Sequence, residues 1–189
     1  MSLTKRSSIA DVAGVVSEAL ERAGIRTVLS GGACASIHSQ GAYQSVDIDF
    51  IVQSAATQPA LERALAPEGF HRRGDQYFHD LAPYYIEFPP GPIAIGSDYS
   101  IAPIVQKLGA YHVRMLSATD SCRDRLAAAF HWRDAAAMRA AVEIALRNEV
   151  DFHTIKRWSE SERSLDRYEA FLEEVKKSKK RRRARGRTR

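Results

Sequence analysis

Apolar residues recur at helical spacing from Ser8 to Ala23, where Ile9, Val12, Val15, Val16, Ala19 and Leu20 form one stripe. Ser7 or Ser8 is placed to cap this amphipathic helix, and Gly24 to end it. The pattern then shortens. Arg26 to Leu29 reads as a strand, Gly31-Gly32 as a tight turn and Ala33 to Ser39 as a short helix. Val46 to Val52 is rich in β-branched and aromatic residues and predicts a buried strand, despite two acids within it. Thr57 to Ala66 is helical by pattern, and Phe70 to Arg73 with Gln76 to His79 flank Gly74-Asp75 as a hairpin. Tyr84 to Phe88 and Tyr111 to Leu116 are further strands, whereas Ile93 to Gly109 carries no clear period.

After Ser117 the period becomes helical throughout. Thr119 to Trp132, Asp134 to Asn148, Asp151 to Trp158 and Ser161 to Lys177 each begin at Thr, Asp or Ser. Strands followed by a run of helices predict an α+β fold, with a mixed sheet and a C-terminal helical bundle, rather than a regular alternating one. The expected organisation is an α/β core over 1–116, a helical part over 117–175 packed on it, and a basic tail over 176–189.

Charge changes that picture at one end. The net charge of +5 is unevenly spread: ten of the 28 Lys and Arg residues lie in 176–189, which holds no acid. The remainder has 18 bases against 23 acids, a balance of −5. A block of like charge repels itself, so the tail is expected to be disordered and to attract polyanions such as RNA. A hydrophobic fraction of 44% and a charged fraction of 27% suit a folded globular body. No apolar run approaches the roughly 18 residues of a membrane span, and Met1 to Gly14 lacks a secretory core, so a cytoplasmic location with no membrane partner is expected. Cys34 and Cys122 form no paired motif and read as reduced packing thiols. His38, His71, His79, His112 and His153 show no zinc spacing.

The candidate chemistry lies in the strand with two acids. Side chains alternate along a strand, so Asp47 and Asp49 project from one face about 7 Å apart while Val46, Ile48, Phe50 and Val52 fill the other. Two unpaired carboxylates repel and lose hydration; Mg²⁺ or Mn²⁺ bound by their oxygens removes both penalties. An isolated D-x-D is commonly the solvated face of an edge strand. Here, however, a strand upstream runs into Ser30-Gly31-Gly32 and a short helix, whose free backbone N–H groups can receive an anion. Metal and phosphate sites therefore lie close in the chain.

Val28-Leu29-Ser30-Gly31-Gly32-Ala33 followed by Ser45-Val46-Asp47-Ile48-Asp49-Phe50 resembles the signature of the polymerase-beta-like nucleotidyltransferase superfamily, and within it the abortive-infection (AbiEii-like) toxin nucleotidyltransferases. The resemblance implies two metals held by carboxylates and transfer of a nucleoside monophosphate from an NTP to a hydroxyl. It implies a third acid from a later strand, for which Glu87 in Tyr84-Tyr85-Ile86-Glu87-Phe88 is the candidate, as metal ligand or as general base. Ser30, Gly31 and Gly32 would bind nucleotide phosphate.

The same resemblance places a basic residue in the first C-terminal helix. Arg125, within Asp120 to Asp134, occupies that position where relatives often carry Lys, and would hold triphosphate; on its own residues it reads equally as a pair for Asp124 or Glu143. His131 and Trp132 could stack on a base, but an aromatic pair ending an apolar helix face is expected in the core. By analogy the acceptor is RNA, tRNA foremost, with the tail gathering it, and an antitoxin is an expected partner. A small-molecule or protein hydroxyl is the alternative acceptor. A nucleotide-binding or antitoxin-like module without turnover is the alternative from another class.

Overall fold

In the computed structural model, which describes residues 2–186, the first helix, α1 (Ile9–Arg22), begins where Ser8 and Asp11 close a reciprocal cap. Ser8 Oγ accepts from the Asp11 N–H at 3.2 Å, and the Asp11 carboxylate accepts from the Ser8 N–H at 2.8 Å. Its stripe of Val12, Val15, Val16, Ala19 and Leu20 is buried, as the period requires.

The strands are β1 (Thr27–Ser30), β2 (Asp47–Val52), β3 (Phe70–Arg73), β4 (Gln76–His79), β5 (Tyr85–Glu87), β6 (Ile104–Leu108) and β7 (Tyr111–Met115). Among the described residues they form one mixed sheet in the order β3-β4-β5-β2-β1-β7-β6. β1 is antiparallel to β2 and parallel to β7, and β2 is parallel to β5; the outer pairs β3/β4 and β6/β7 are antiparallel. The expected hairpin at Gly74-Asp75 therefore forms between the predicted strands. β6, by contrast, lies in the stretch without a period. It is an edge strand with Ile104 and Val105 exposed, so little burial was available to impose alternation.

Helix α2 (Gly31–His38) starts directly from β1, so both glycines belong to its first turn rather than to a separate turn before it. α3 (Gln58–Leu65) runs into a 3-10 turn, Ala66–Glu68. The C-terminal helices are α4 (Ala118–Trp132), α5 (Ala135–Arg147), α6 (Phe152–Ser161) and α7 (Leu165–Gly186). Ser117, Asp134 and Asp151 cap the first three by accepting from backbone N–H groups two or three residues on.

Two apolar clusters result. One joins α1, α3 and the sheet through Leu20, Val28, Leu29, Ile48, Phe50 and Ile86; the other joins α4 to α7 through Leu126, Phe130, Ile144, Ile155, Trp158 and Phe171. α2 lies where they meet, with Cys34 in the first and Ala35 in the second. His38 Nε2 is 2.9 Å from the Leu116 carbonyl, and Asn148 Nδ2 donates to the His38 carbonyl at 2.8 Å, which ties α2 to the strand side and to the end of α5. Cys34 and Cys122 are free and buried, and burial pushes the Cys34 thiol up to about 12 and Cys122 upward too, consistent with inert packing groups.

The basic segment differs from expectation. Residues 176–186 continue α7 as helix instead of forming a disordered tail; 187–189 lie outside the described residues. Lys and Arg are good helix formers, and the self-repulsion is offset by Glu173–Lys176, Glu174–Lys177 and the Arg182–Glu143 pair at 2.6 Å, which pins the helix to α5.

Candidate active site

Strand β2 lies between β1 and β5, and its alternation sorts the central residues as predicted, although Val46, expected on the buried face, falls before the strand and is exposed, and Val52 is only half-buried. Ile48 and Phe50 are fully buried on one face, while Asp47 and Asp49 stand half-buried on the other. The antiparallel partner brings Ser30, at the end of β1, opposite Asp49. The parallel partner brings Glu87 of β5 beside the same residue, so its side chain rises from the same face. Asp47, Asp49 and Glu87 thus each offer a carboxylate oxygen, all within 4.8 Å of one another.

These acids are held from below and from the sides. A methyl group at Gly31 would overlap the Asp49 carboxylate, and one at Gly32 would overlap the Ser45 hydroxyl. Gly31 also has a φ of +63°, in the left-handed region where a Cβ is strained. The paired glycines therefore do more than free the N–H groups of a helix start: they let β2 lay its carboxylates directly against α2. Ser45 donates to Asp47 Oδ1, and Gln76 Nε2 donates to Glu87 Oε1 at 2.6 Å. Ser45 adjoins the motif in sequence, but Gln76 is placed by the β4–β5 register, where it pairs with Glu87, and no sequence signal marks it.

The electrostatics are those of an uncompensated anion. Burial, then repulsion from Asp47 and Glu87, pushes Asp49 up to about 7; Asp124 adds to the rise and Arg125 opposes it. Arg125, on α4, has a side chain only 16% exposed and donates from Nε and Nη2 to Asp124 Oδ2 at 3.0 and 2.8 Å. Of its two expected surface partners it takes Asp124, while Glu143 is engaged by Arg147 and Arg182. Arg125 thus pairs with Asp124, as its own residues allowed, while its charge reaches Asp49. Ser30 caps α2 by position, with its side chain making no capping bond.

His131 and Trp132 depart from the expected core placement. His131 Nε2 lies 3.2 Å from Glu162 Oε2 in an exposed pair, and Trp132 is 78% exposed at the last position of α4. The apolar face turns away before the helix ends: Leu126, Ala129 and Phe130 fill the core, and Arg133 adopts a left-handed φ of +54° that stops the helix.

Three carboxylate oxygens this close, half-buried and carrying mutual repulsion, suit a hard divalent cation, whose ligands are oxygens. The helix start beside them, with four N–H groups lacking intrahelical partners, suits an anion. No protein-family model matches the chain, and no curated protein matches it.

The mixed sheet, the α2 entry from β1 and the helices packed behind constitute a nucleotidyltransferase-like α/β fold. Among solved structures, the chain is similar to an antigenic nucleotidyltransferase-like protein from Paracoccidioides brasiliensis. The two share 14% identity at a TM-score of 0.59, over 76% of this chain and 78% of that one. At that identity the likeness speaks for the fold. No helix among the described residues is long and apolar enough to cross a membrane.

Proposed function

We propose that this protein is a metal-dependent nucleotidyltransferase that moves a nucleoside monophosphate from an NTP to a hydroxyl acceptor, with RNA, and tRNA foremost, as the acceptor. The observation that carries the reading is the convergence of Asp47, Asp49 and Glu87 within 4.8 Å against the glycine start of α2. The nucleotidyltransferase-like neighbour in fold supports it.

On this reading Asp47, Asp49 and Glu87 hold Mg²⁺ or Mn²⁺, which when bound supplies charge neutralisation and Lewis-acid polarisation of phosphate oxygens. The N–H groups of Gly31 and Gly32 and the Ser30 hydroxyl receive phosphate oxygens, and Arg125 sets a guanidinium against the charge of the triphosphate. The acceptor oxygen bonds to the α-phosphorus as the bond to the β,γ-diphosphate breaks, and pyrophosphate leaves. Glu87, oriented by Gln76 through Oε1, completes the metal site or, in its place, takes the hydroxyl proton as general base.

The resemblance to abortive-infection toxins extends the proposal to a toxin role with an antitoxin partner. The test is incubation with labelled NTPs, Mg²⁺ and total RNA beside Asp47→Ala and Asp49→Ala. Label on RNA that disappears in both variants is the expected result. Label on a small molecule or protein moves the acceptor, and NTP binding without pyrophosphate release replaces the enzyme with a nucleotide-binding module.

A further inference from the structure

A cavity of about 330 Å³ opens between the loop that precedes β2, helix α5 and the basic helix α7. Its bed is apolar, formed by Tyr43, Met138 and Val142, and Arg139 and Arg181 stand at its edge. The two acids that also line it are already neutralised: Glu143 pairs with Arg147 and Arg182, and Glu174 with Lys177. Arg139 and Arg181 are exposed and, among the described residues, hold no ion pair or hydrogen bond. An apolar bed rimmed by spare guanidinium groups is suited to a base lying flat with phosphates on either side.

The cavity also adjoins the carboxylate cluster along the chain. Tyr43 lies two residues before Ser45, which bonds Asp47, so at most about 14 Å of extended chain separates Tyr43 from Asp47. Tyr43 is near enough to Arg125 for the two to interact electrostatically. Along the same stretch α7 carries Lys179, Lys180 and Arg183, of which Lys179 sits over the Phe152 ring. The positive charge thus runs along one helix past the cavity.

We propose that this groove, with Arg139, Arg181 and Tyr43 as its contacts, seats a single-stranded polynucleotide whose end is delivered to the carboxylates as the acceptor. The inference rests on the transferase reading for the use of the strand, but not for its binding. An acidic protein is the competing occupant. The Tyr43 ring among the lining residues, the two spare guanidinium groups and the nearness of polyphosphate chemistry favour the strand.

The test measures fluorescence anisotropy of labelled single-stranded RNA and DNA of one sequence over a series of salt concentrations. It uses the full chain, the double variant Arg139→Gln/Arg181→Gln, and the charge-keeping Arg139→Lys/Arg181→Lys. Calorimetry of Mg²⁺–NTP binding is run on each protein. The Gln pair is expected to weaken strand binding about tenfold and to flatten the log–log salt slope by about 1.4, the share of two phosphate contacts on a single strand. The Lys pair is expected to keep the slope, and Mg²⁺–NTP binding to stay unchanged in all. The ratio of RNA to DNA affinity identifies which strand is the ligand. The proposal is overturned if the unmutated chain binds neither strand, if the Gln pair leaves affinity and slope within twofold, or if polyglutamate competes as well as either strand. Failure of Mg²⁺–NTP binding in the unmutated chain sinks the transferase reading and leaves the groove standing.

Discussion

Arg123 and Arg125 lie two residues apart on α4, yet they face opposite kinds of charge cluster. Arg123 is 4% exposed, donates to Asp98 and to Asp120 at 2.8 Å, and lies over the Trp158 ring at 5.5 Å. The hydrogen bond with Arg123, ahead of that from the Ser100 N–H, holds Asp98 below the usual carboxylate range. Around Asp49 three acids crowd together, and among the described residues the guanidinium whose charge reaches it, that of Arg125, is shared with Asp124. In the first cluster both acids bond the same buried guanidinium, whose Nε alone is left without a hydrogen-bond partner among the described residues. The second holds three half-buried carboxylates against one another, which under the proposed function is the charge a bound metal would offset.

The sharpest test of this contrast is Asp49→Asn. Transfer activity is expected to fall by two orders of magnitude or more, several kcal/mol of transition-state stabilisation. The metal-free variant is also expected to unfold at a higher temperature than the parent, because repulsion has been removed. Pyrophosphate release and a thermal melt in chelator check the two halves, and a lower melting point would erase the distinction.

The converse substitution, Arg123→Met, leaves Asp98 and Asp120 without their cation and is expected to destabilise the fold by about 3 kcal/mol. Urea unfolding measures that loss, while Mg²⁺–NTP affinity of the folded fraction is expected to hold. Loss of affinity without loss of stability would place Arg123 in the site instead.

The titration of Asp49 gives a smaller effect with a definite sign. Its carboxyl ionises near 3.8 in the unfolded chain and is raised to about 7 in the fold, so the folded state binds the proton more tightly. Its contribution is fully present below about 3.8 and is lost as pH rises to about 7. For this group, the metal-free protein is expected to lose stability over that window, and added Mg²⁺ to restore it at pH 8 but hardly at pH 5. Melting curves with and without Mg²⁺ measure both. The smallest expected change is at Trp132→Ala, where an exposed ring leaves stability within about 0.5 kcal/mol by urea unfolding.

Much of this arrangement was legible in the sequence where a period or a cap imposed it. The α1 stripe, the hairpin around Gly74-Asp75, the caps Asp134 and Asp151, and the alternation that separates Asp47 and Asp49 from Ile48 and Phe50 all follow from local rules. The association of Glu87 with Asp49 came from the resemblance, and the parallel β2–β5 register shows how it is made. What escaped depends on distant neighbours. Gln76 reaches Glu87 through strand order, Arg123 is balanced by an acid 25 residues away, and α7 is held as helix partly by Glu143 on α5. Trp132 escaped for a different reason: α4 stops at Arg133, whose left-handed φ leaves Trp132 as the last side chain, outside the core that Phe130 reaches.

The contact between Gly31 and the Asp49 carboxylate couples two positions 18 residues apart in the chain. A side chain at 31 is admissible only where the acid at 49 has first become small, so substitutions at the two positions are non-additive and the order in which they arise matters. Descendants of this chain that abandon the acid lose the clash at the glycine and keep only the strain of its left-handed φ, whereas those that keep the acid face both.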